Sequence, residues 1–259
     1  MNKLYFDGII TESINDFDLF NRGFKYNDSF FETIHVTNGK VFNVKNHLIR
    51  IVEAVKILKF NFKHTNQQLV QIFNDLISVN NLKHGVIRLY IYRNSDGQYL
   101  PNSNDTSLII KTNHLNCSFK INSPKKLCTY NREFKSNTLL SNIKANSIIS
   151  VLSSIHASDM KFDSAILFNN NNKIIETSNS NIFFVENNKI ITPPIKDGCI
   201  DGTMRRLLMS LFDIEEKSIS FNMLSKVDEV FVSNSISGVI PIKKIDYIEY
   251  HNFTYCNII

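Results

Sequence analysis

The stretch Glu176-Thr-Ser-Asn-Ser-Asn-Ile-Phe183, with Ile190-Ile-Thr192-Pro-Pro and Asp201-Gly-Thr-Met-Arg205 behind it, decides how this chain is read. It sets a carboxylate just after a short strand and follows it with a Gly-led turn that opens a helix. A carboxylate so placed can keep a ring nitrogen protonated, which turns the ring into an electron sink. A helix N-terminus offers backbone N–H groups to a phosphate. At this spacing the two features point to a site for a phosphorylated aromatic cofactor.

The pattern resembles the fingerprint of class IV aminotransferases, the fold-type-IV pyridoxal phosphate enzymes. That family includes branched-chain and D-amino acid aminotransferases and 4-amino-4-deoxychorismate lyase. Glu176, Ser178, Asn181, Ile182, Phe183, Ile190, Thr192, Ile200, Gly202 and Arg205 fit it, and Thr203 stands where an aliphatic residue is usual. The likeness runs from Arg22 to about Pro241. It implies a mixed α+β, D-amino acid aminotransferase-like fold in two domains, pyridoxal 5'-phosphate at their junction, and a homodimer whose partner closes the pocket.

Composition agrees with a soluble globular protein. The chain has 259 residues, 43% of them apolar, with a mean hydropathy near zero, enough for one large or two smaller domains. No apolar run reaches membrane-spanning length, and Met-Asn-Lys-Leu-Tyr-Phe-Asp-Gly does not read as a signal peptide. Cys117, Cys128, Cys199 and Cys256 lack metal or redox spacing, so free thiols in a cytoplasmic setting are expected. The net charge of +5 is spread along the chain rather than massed in a stripe, which argues against nucleic acid as partner. The seven histidines show no metal-binding spacing.

Along the chain, a hairpin opens at Leu4–Ile10, and strands at Phe30–Val36 and Lys40–Phe42 flank the turn Asn38-Gly39. Asn46 is the expected N-cap of a helix from His47 to Lys59, and a second helix runs from about Gln67 to Val79. Strands are expected at Val86–Arg93, Ser107–Thr112, Leu127–Thr129, Ser164–Phe168, Lys173–Ile175, Asn181–Val185, Lys189–Thr192 and Glu229–Ser233. Helical periodicity covers Ile143–Met160 and Thr203–Phe212. Residues 1–112 form the expected N-terminal domain, 113–122 a polar linker, and 123–259 the C-terminal domain carrying the imine-forming lysine.

The resemblance assigns roles residue by residue. Lys144, 32 residues before Glu176, matches the lysine that joins the cofactor, and its mostly uncharged surroundings suit an activated amine. No tyrosine follows it in Asn146-Ser-Ile-Ile149, unlike many transaminases. Glu176 would face the pyridine nitrogen. Arg50 matches the arginine that grips the phosphate, whose dianion suits a guanidinium fork, with Thr203, Met204, Asn179 and Ser235 as further phosphate contacts. In Arg22-Gly-Phe-Lys-Tyr26-Asn-Asp-Ser-Phe-Phe-Glu32-Thr33-Ile34 two family glycines have become Asn27 and Ser29, and asparagine tolerates left-handed backbone. Thr33 stands where lyases of the family carry a threonine proposed to transfer a proton, and Tyr26 and Arg88 are candidate substrate contacts. The expected activity is therefore 4-amino-4-deoxychorismate lyase, releasing pyruvate and 4-aminobenzoate. The alternative is transamination of branched-chain or D-amino acids.

Overall fold

The computed structural model describes every residue except 1, 15–17, 19, 118, 120–122, 146 and 259. The chain forms two compact units, one of residues 1–119 with 143–146, the other of 120–142 with 147–259.

The first unit contains β1 (Leu4–Phe6), β2 (Ile9–Thr11), α1 (Arg22–Tyr26), β3 (Ser29–Thr37), β4 (Lys40–Val41), α2 (Val44–Ile57), α3 (Asn66–Val79), β5 (Gly85–Arg93) and β6 (Thr106–His114). Its sheet has the order β2-β1-β6-β5-β3-β4, and its pairings are antiparallel. The β3–β4 hairpin turns at Asn38 (φ 50°) and Gly39 (φ 70°), the left-handed pair a two-residue hairpin demands. Phe30, Ile34 and Val36 of β3 alternate onto the buried face, where Ile51 and Ala54 of α2 and Phe73 and Leu76 of α3 complete the core. Thr65 and Gln68 form a capping box at the start of α3. The N-cap of α2 is Asn43 rather than Asn46, because Asn43 adopts φ 53° and lets the helix start three residues earlier.

The second unit contains β7 (Lys125–Tyr130), α4 (Ile148–Asp159), β8 (Ser164–Phe168), β9 (Lys173–Thr177), β10 (Asn181–Glu186), β11 (Lys189–Thr192), α5 (Thr203–Leu211), β12 (Ile214–Glu216), β13 (Ile219–Ser220), β14 (Glu229–Asn234), β15 (Gly238–Ile245), β16 (Ile248–Glu249) and α6 (Thr254–Ile258). Its mixed sheet runs β12-β11-β10-β14-β15-β7-β8-β9-β13, with β16 on β15. Ile182 and Phe184 of β10, Val230 and Val232 of β14 and Ile242 of β15 fill one core beside it. Phe183 and Phe231 stack on the other face, with centroids 4.9 Å apart. Two fully buried phenylalanines contribute about 1.5–3 kcal/mol each by transfer from water.

Three sequence expectations shift here. The helix expected from Ile143 begins at Ile148, and Lys144 sits in the turn before it. Segment 143–146 belongs with the first unit: Ile143 and Ala145 join its core, and the Phe31 amide donates to the Lys144 carbonyl at 3.3 Å. Strand β6 continues to His114, into the expected linker; residues 118 and 120–122 of that linker lie outside the described residues, as does Asn146. No helix among the described residues is long and apolar enough to cross a membrane.

Candidate functional site

In the second unit Glu176 lies inside β9 rather than after it, because β9 extends to Thr177. The carboxylate is buried, 4% exposed, and has two donors. Lys135 Nζ reaches Oε1 at 2.6 Å, and the Ile200 amide reaches Oε2 at 2.8 Å. Lys135 is anchored in turn, its backbone N–H on the Phe168 carbonyl at 2.9 Å and its amine also on the Ser141 carbonyl at 3.0 Å. Sequence reasoning missed Lys135, since a lysine in the irregular loop before α4 has no periodic relation to β9. A carboxylate offers about four lone-pair positions, so Glu176 can accept a further donor.

The Gly-led turn opens α5 as expected. Asn181 Nδ2 donates to the Ile200 carbonyl at 2.8 Å, and a Cβ on Gly202 would lie 1.9 Å from Asn181 Oδ1. Only glycine permits that approach. Gly202 is the N-cap and makes no side-chain cap bond, while Thr203 and Met204 form the buried first turn, where helix N–H groups lack intrahelical partners. Replacing Gly202 by alanine is expected to lower the thermal unfolding midpoint through overpacking worth about 1–3 kcal/mol.

Most other fingerprint residues are clasps. Ser178 Oγ accepts from Ser153 Oγ at 2.8 Å and from the Ala165 amide at 3.2 Å, fixing α4 on the sheet. Thr192 Oγ1 donates to the Ile182 carbonyl at 2.8 Å. Arg205 bonds the Pro193 carbonyl at 3.2 Å and pairs with Glu216. Asn179 is exposed, and Ser235 occupies the turn from β14 to β15. Asn234, which sequence reasoning also missed, ties the two places together. Its Oδ1 accepts from the Ile236 and Ser237 amides at 3.0 and 2.8 Å, and its Nδ2 donates to Ser180 Oγ at 2.9 Å. Beside Glu176, burial pushes the Cys199 thiol up to about 12, so it is no nucleophile.

In the first unit Arg50 is 4% exposed on α2. Its Nε meets Glu32 Oε1 at 2.5 Å and its Nη2 meets Oε2 at 2.8 Å. His47, three residues earlier on the same helix face, places Nδ1 2.8 Å from Oε2. Burial alone would raise the Glu32 carboxyl; the Arg50 charge and the bonds from His47 and Arg50 override it and hold the group well below the usual carboxylate range. Burial pushes His47 down, against the pull of Glu32, so the ring is neutral and donates from Nδ1 to the carboxylate. Glu32 thus fixes the Arg50 fork in one orientation, a role not read from the sequence.

Lys144 is half-buried, and its Nζ lies 4.4 Å from the centroid of the Phe31 ring. Asn27 adopts φ 55°, the left-handed conformation expected where the family has glycine. Its side chain adds a bond glycine could not make, Nδ2 to the Ala145 carbonyl at 2.8 Å, next to Lys144. Thr33 pairs across the sheet with Arg88, and Phe31 with Tyr90. Strand alternation puts Phe31, Thr33, Arg88 and Tyr90 on one face and Glu32 on the other. Arg88 is exposed and reaches Asn113 Oδ1 at 3.4 Å. Tyr26 is 39% exposed, its ring 5.6 Å from that of Tyr99 and 5.0 Å from the Arg22 guanidinium. Arg22 in turn donates to the carbonyls of Gly97 and Gln98 at 3.1 and 2.5 Å, holding that loop. Among the described residues no group of three or more His, Cys, Asp or Glu side chains could hold a metal ion.

Within the second unit, a buried carboxylate with lone pairs to spare and a helix start whose glycine admits no Cβ fit the ring nitrogen and the phosphate of pyridoxal phosphate. The family model for class IV amino-transferases matches residues 29–245. The D-alanine aminotransferase of Bacillus licheniformis is 23% identical over 94% of this chain and 88% of its own length. The branched-chain amino acid aminotransferase of Escherichia coli superposes with a TM-score of 0.89 at 22% identity, covering 99% of this chain and 91% of that one. The 4-amino-4-deoxychorismate lyase of Pseudomonas aeruginosa superposes with a TM-score of 0.84 at 21% identity, covering 98% and 96%. On a match over most of its length, the chain belongs to the class IV amino-transferase family, whose members depend on pyridoxal 5'-phosphate.

Proposed function

We propose that this enzyme is a 4-amino-4-deoxychorismate lyase, and that Thr33 is the residue that makes it one. The supporting observation is the shared face of β3: Thr33 follows two residues after Phe31, over whose ring Lys144 Nζ lies at 4.4 Å. A hydroxyl and an amine presented by one sheet face suit a reaction with two proton transfers.

Pyridoxal phosphate, when bound, supplies an electron sink for the pair released at the substrate carbon bearing the amine. Lys144 would join the coenzyme through Nζ and, once the substrate amine has taken its place there, the freed Nζ would accept the proton from that carbon. Glu176 would hold the proton on the ring nitrogen. Arg50, aimed by Glu32, the first-turn amides of Thr203 and Met204, and Asn179 and Ser235 are the groups that would hold the phosphate. Thr33 hands a proton to the departing three-carbon fragment, which leaves as pyruvate, and the remaining ring becomes 4-aminobenzoate. Arg88, across from Thr33 on the same face, would receive a substrate carboxylate, with Tyr26 bordering the pocket.

A homodimer is part of this reading. Helix α4 turns Ile148, Val151, Leu152 and Ile155 outward, 41–56% exposed, an apolar stripe that suits burial against another subunit. The four thiols are free, which suits the cytoplasmic setting proposed. A coupled assay with chorismate, glutamine and the amination enzyme should yield 4-aminobenzoate and pyruvate only when this protein is added. A second reading, transamination, is favoured by the aminotransferase names of its relatives. Rapid conversion of the bound cofactor to its pyridoxamine form by D-alanine or leucine, with no 4-aminobenzoate in the assay, would replace the first reading by the second.

A further inference from the structure

The carboxylate proposed for the ring nitrogen already has a cationic partner. Lys135 Nζ lies 2.6 Å from Glu176 Oε1, with both side chains largely buried, 15% and 6% exposed. The pair is rigid. Three further bonds fix its two ends: Lys135 N–H to Phe168 O, Lys135 Nζ to Ser141 O, and the Ile200 amide to Glu176 Oε2. An ammonium this close balances the charge of Glu176 before any cofactor arrives. A third donor to the same carboxylate, if it is itself a cation, meets the Lys135 charge in a poorly screened site.

We propose that Lys135 is a positioning residue that tunes the cofactor: it competes with the protonated ring nitrogen for Glu176 and so lowers the proton affinity of that nitrogen. The inference rests on the cofactor role proposed for Glu176. It separates two jobs one carboxylate is usually asked to do together. Glu176 attracts the ring proton, and Lys135 limits how firmly it is held. The electron sink is thereby set to an intermediate strength by a residue outside the fingerprint. A purely structural Lys135 has the opposite signature, because losing it would let the Glu176 carboxylate wander and weaken its hold on the ring proton.

The test uses holoenzyme reconstituted with pyridoxal phosphate labelled with 15N in the ring, following the nitrogen resonance as pH is varied. Lys135→Met should move the resonance toward the protonated position and raise the ring's proton-binding constant roughly tenfold, as removal of a nearby like charge does. Lys135→Arg, which keeps the charge, should titrate as the wild type does. If Lys135→Met does not fold, Lys135→Gln, which keeps a donor but no charge, should shift the resonance in the same direction. The proposal is overturned if the wild-type resonance is already fully protonated across the range. It is equally overturned if the charge-removing variant leaves the resonance in place or moves it toward unprotonated pyridine, or if Lys135→Arg behaves like Lys135→Met. Wild-type protein that takes up no pyridoxal phosphate would instead remove the cofactor role of Glu176 itself.

Discussion

Lys144→Ala protein is expected to fold normally and to lose turnover by at least about a hundredfold to ten-thousandfold, the range a positioned proton-transfer group contributes alone. Losing the covalent attachment of the coenzyme should add to that deficit. The fold should survive, because the bond from the Phe31 amide to the carbonyl of residue 144 uses backbone that alanine keeps. Ile143 and Ala145, not the lysine side chain, pack into the core. Steady-state kinetics beside a thermal melt would check this, with borohydride reduction and peptide mapping to locate the labelled lysine. Normal turnover in Lys144→Ala protein, or a borohydride-fixed label on another lysine, would dismantle the assignment.

Glu32→Ala should be the most destabilising single change near the site. Removing one member of a buried ion pair costs about 3–5 kcal/mol, because the other charge stays desolvated. Against a typical total stability of about 5–15 kcal/mol, that is a large share. Urea denaturation should report it as a lowered midpoint with little change in slope. The cofactor phosphate should bind more weakly too, since the Arg50 fork loses the carboxylate that aims it.

The pH dependence has a definite sign. Glu32 has its folded value held below its unfolded one, so its stabilisation is complete above the unfolded carboxyl's titration, near pH 4.3 for a model glutamate. It fades as pH falls through the folded value. His47 is lowered by burial, so the unfolded chain takes up its proton first and stability also declines as pH drops below about 6.5. Glu32→Ala protein should lack the deeper acid-dependent loss. An unchanged urea midpoint for this variant at pH 7 would mean the cluster contributes nothing.

Much of the molecule was legible in the chain because its signals are local. Asn38-Gly39 requires the left-handed hairpin turn it adopts, and Asn27 takes the left-handed conformation of the glycine it replaces. The apolar alternation of β3 and β5 and the 3.6-residue spacing of α3 mark elements whose boundaries then moved by a residue or two. The helix proposed from Ile143 failed for a tertiary reason. Ile143 and Ala145 lie two residues apart, the spacing of extended chain rather than of a helix, and both enter the core of the first unit, so α4 begins only at Ile148.

By itself the sequence determined the family and the mixed α+β class, and it nominated Lys144, Glu176, Arg50 and Thr33 for the chemistry, since spacing within a strand, turn or helix start is a one-dimensional property. Only the tertiary structure decided who stands beside them. Lys135 reaches Glu176 across 41 residues, Glu32 meets Arg50 across 18, and Asn234 meets Ser180 across 54. Such partners are chosen by strand order and loop path, and a buried charge must find one wherever the folded chain brings it, because leaving it unpaired costs more than the fold can bear.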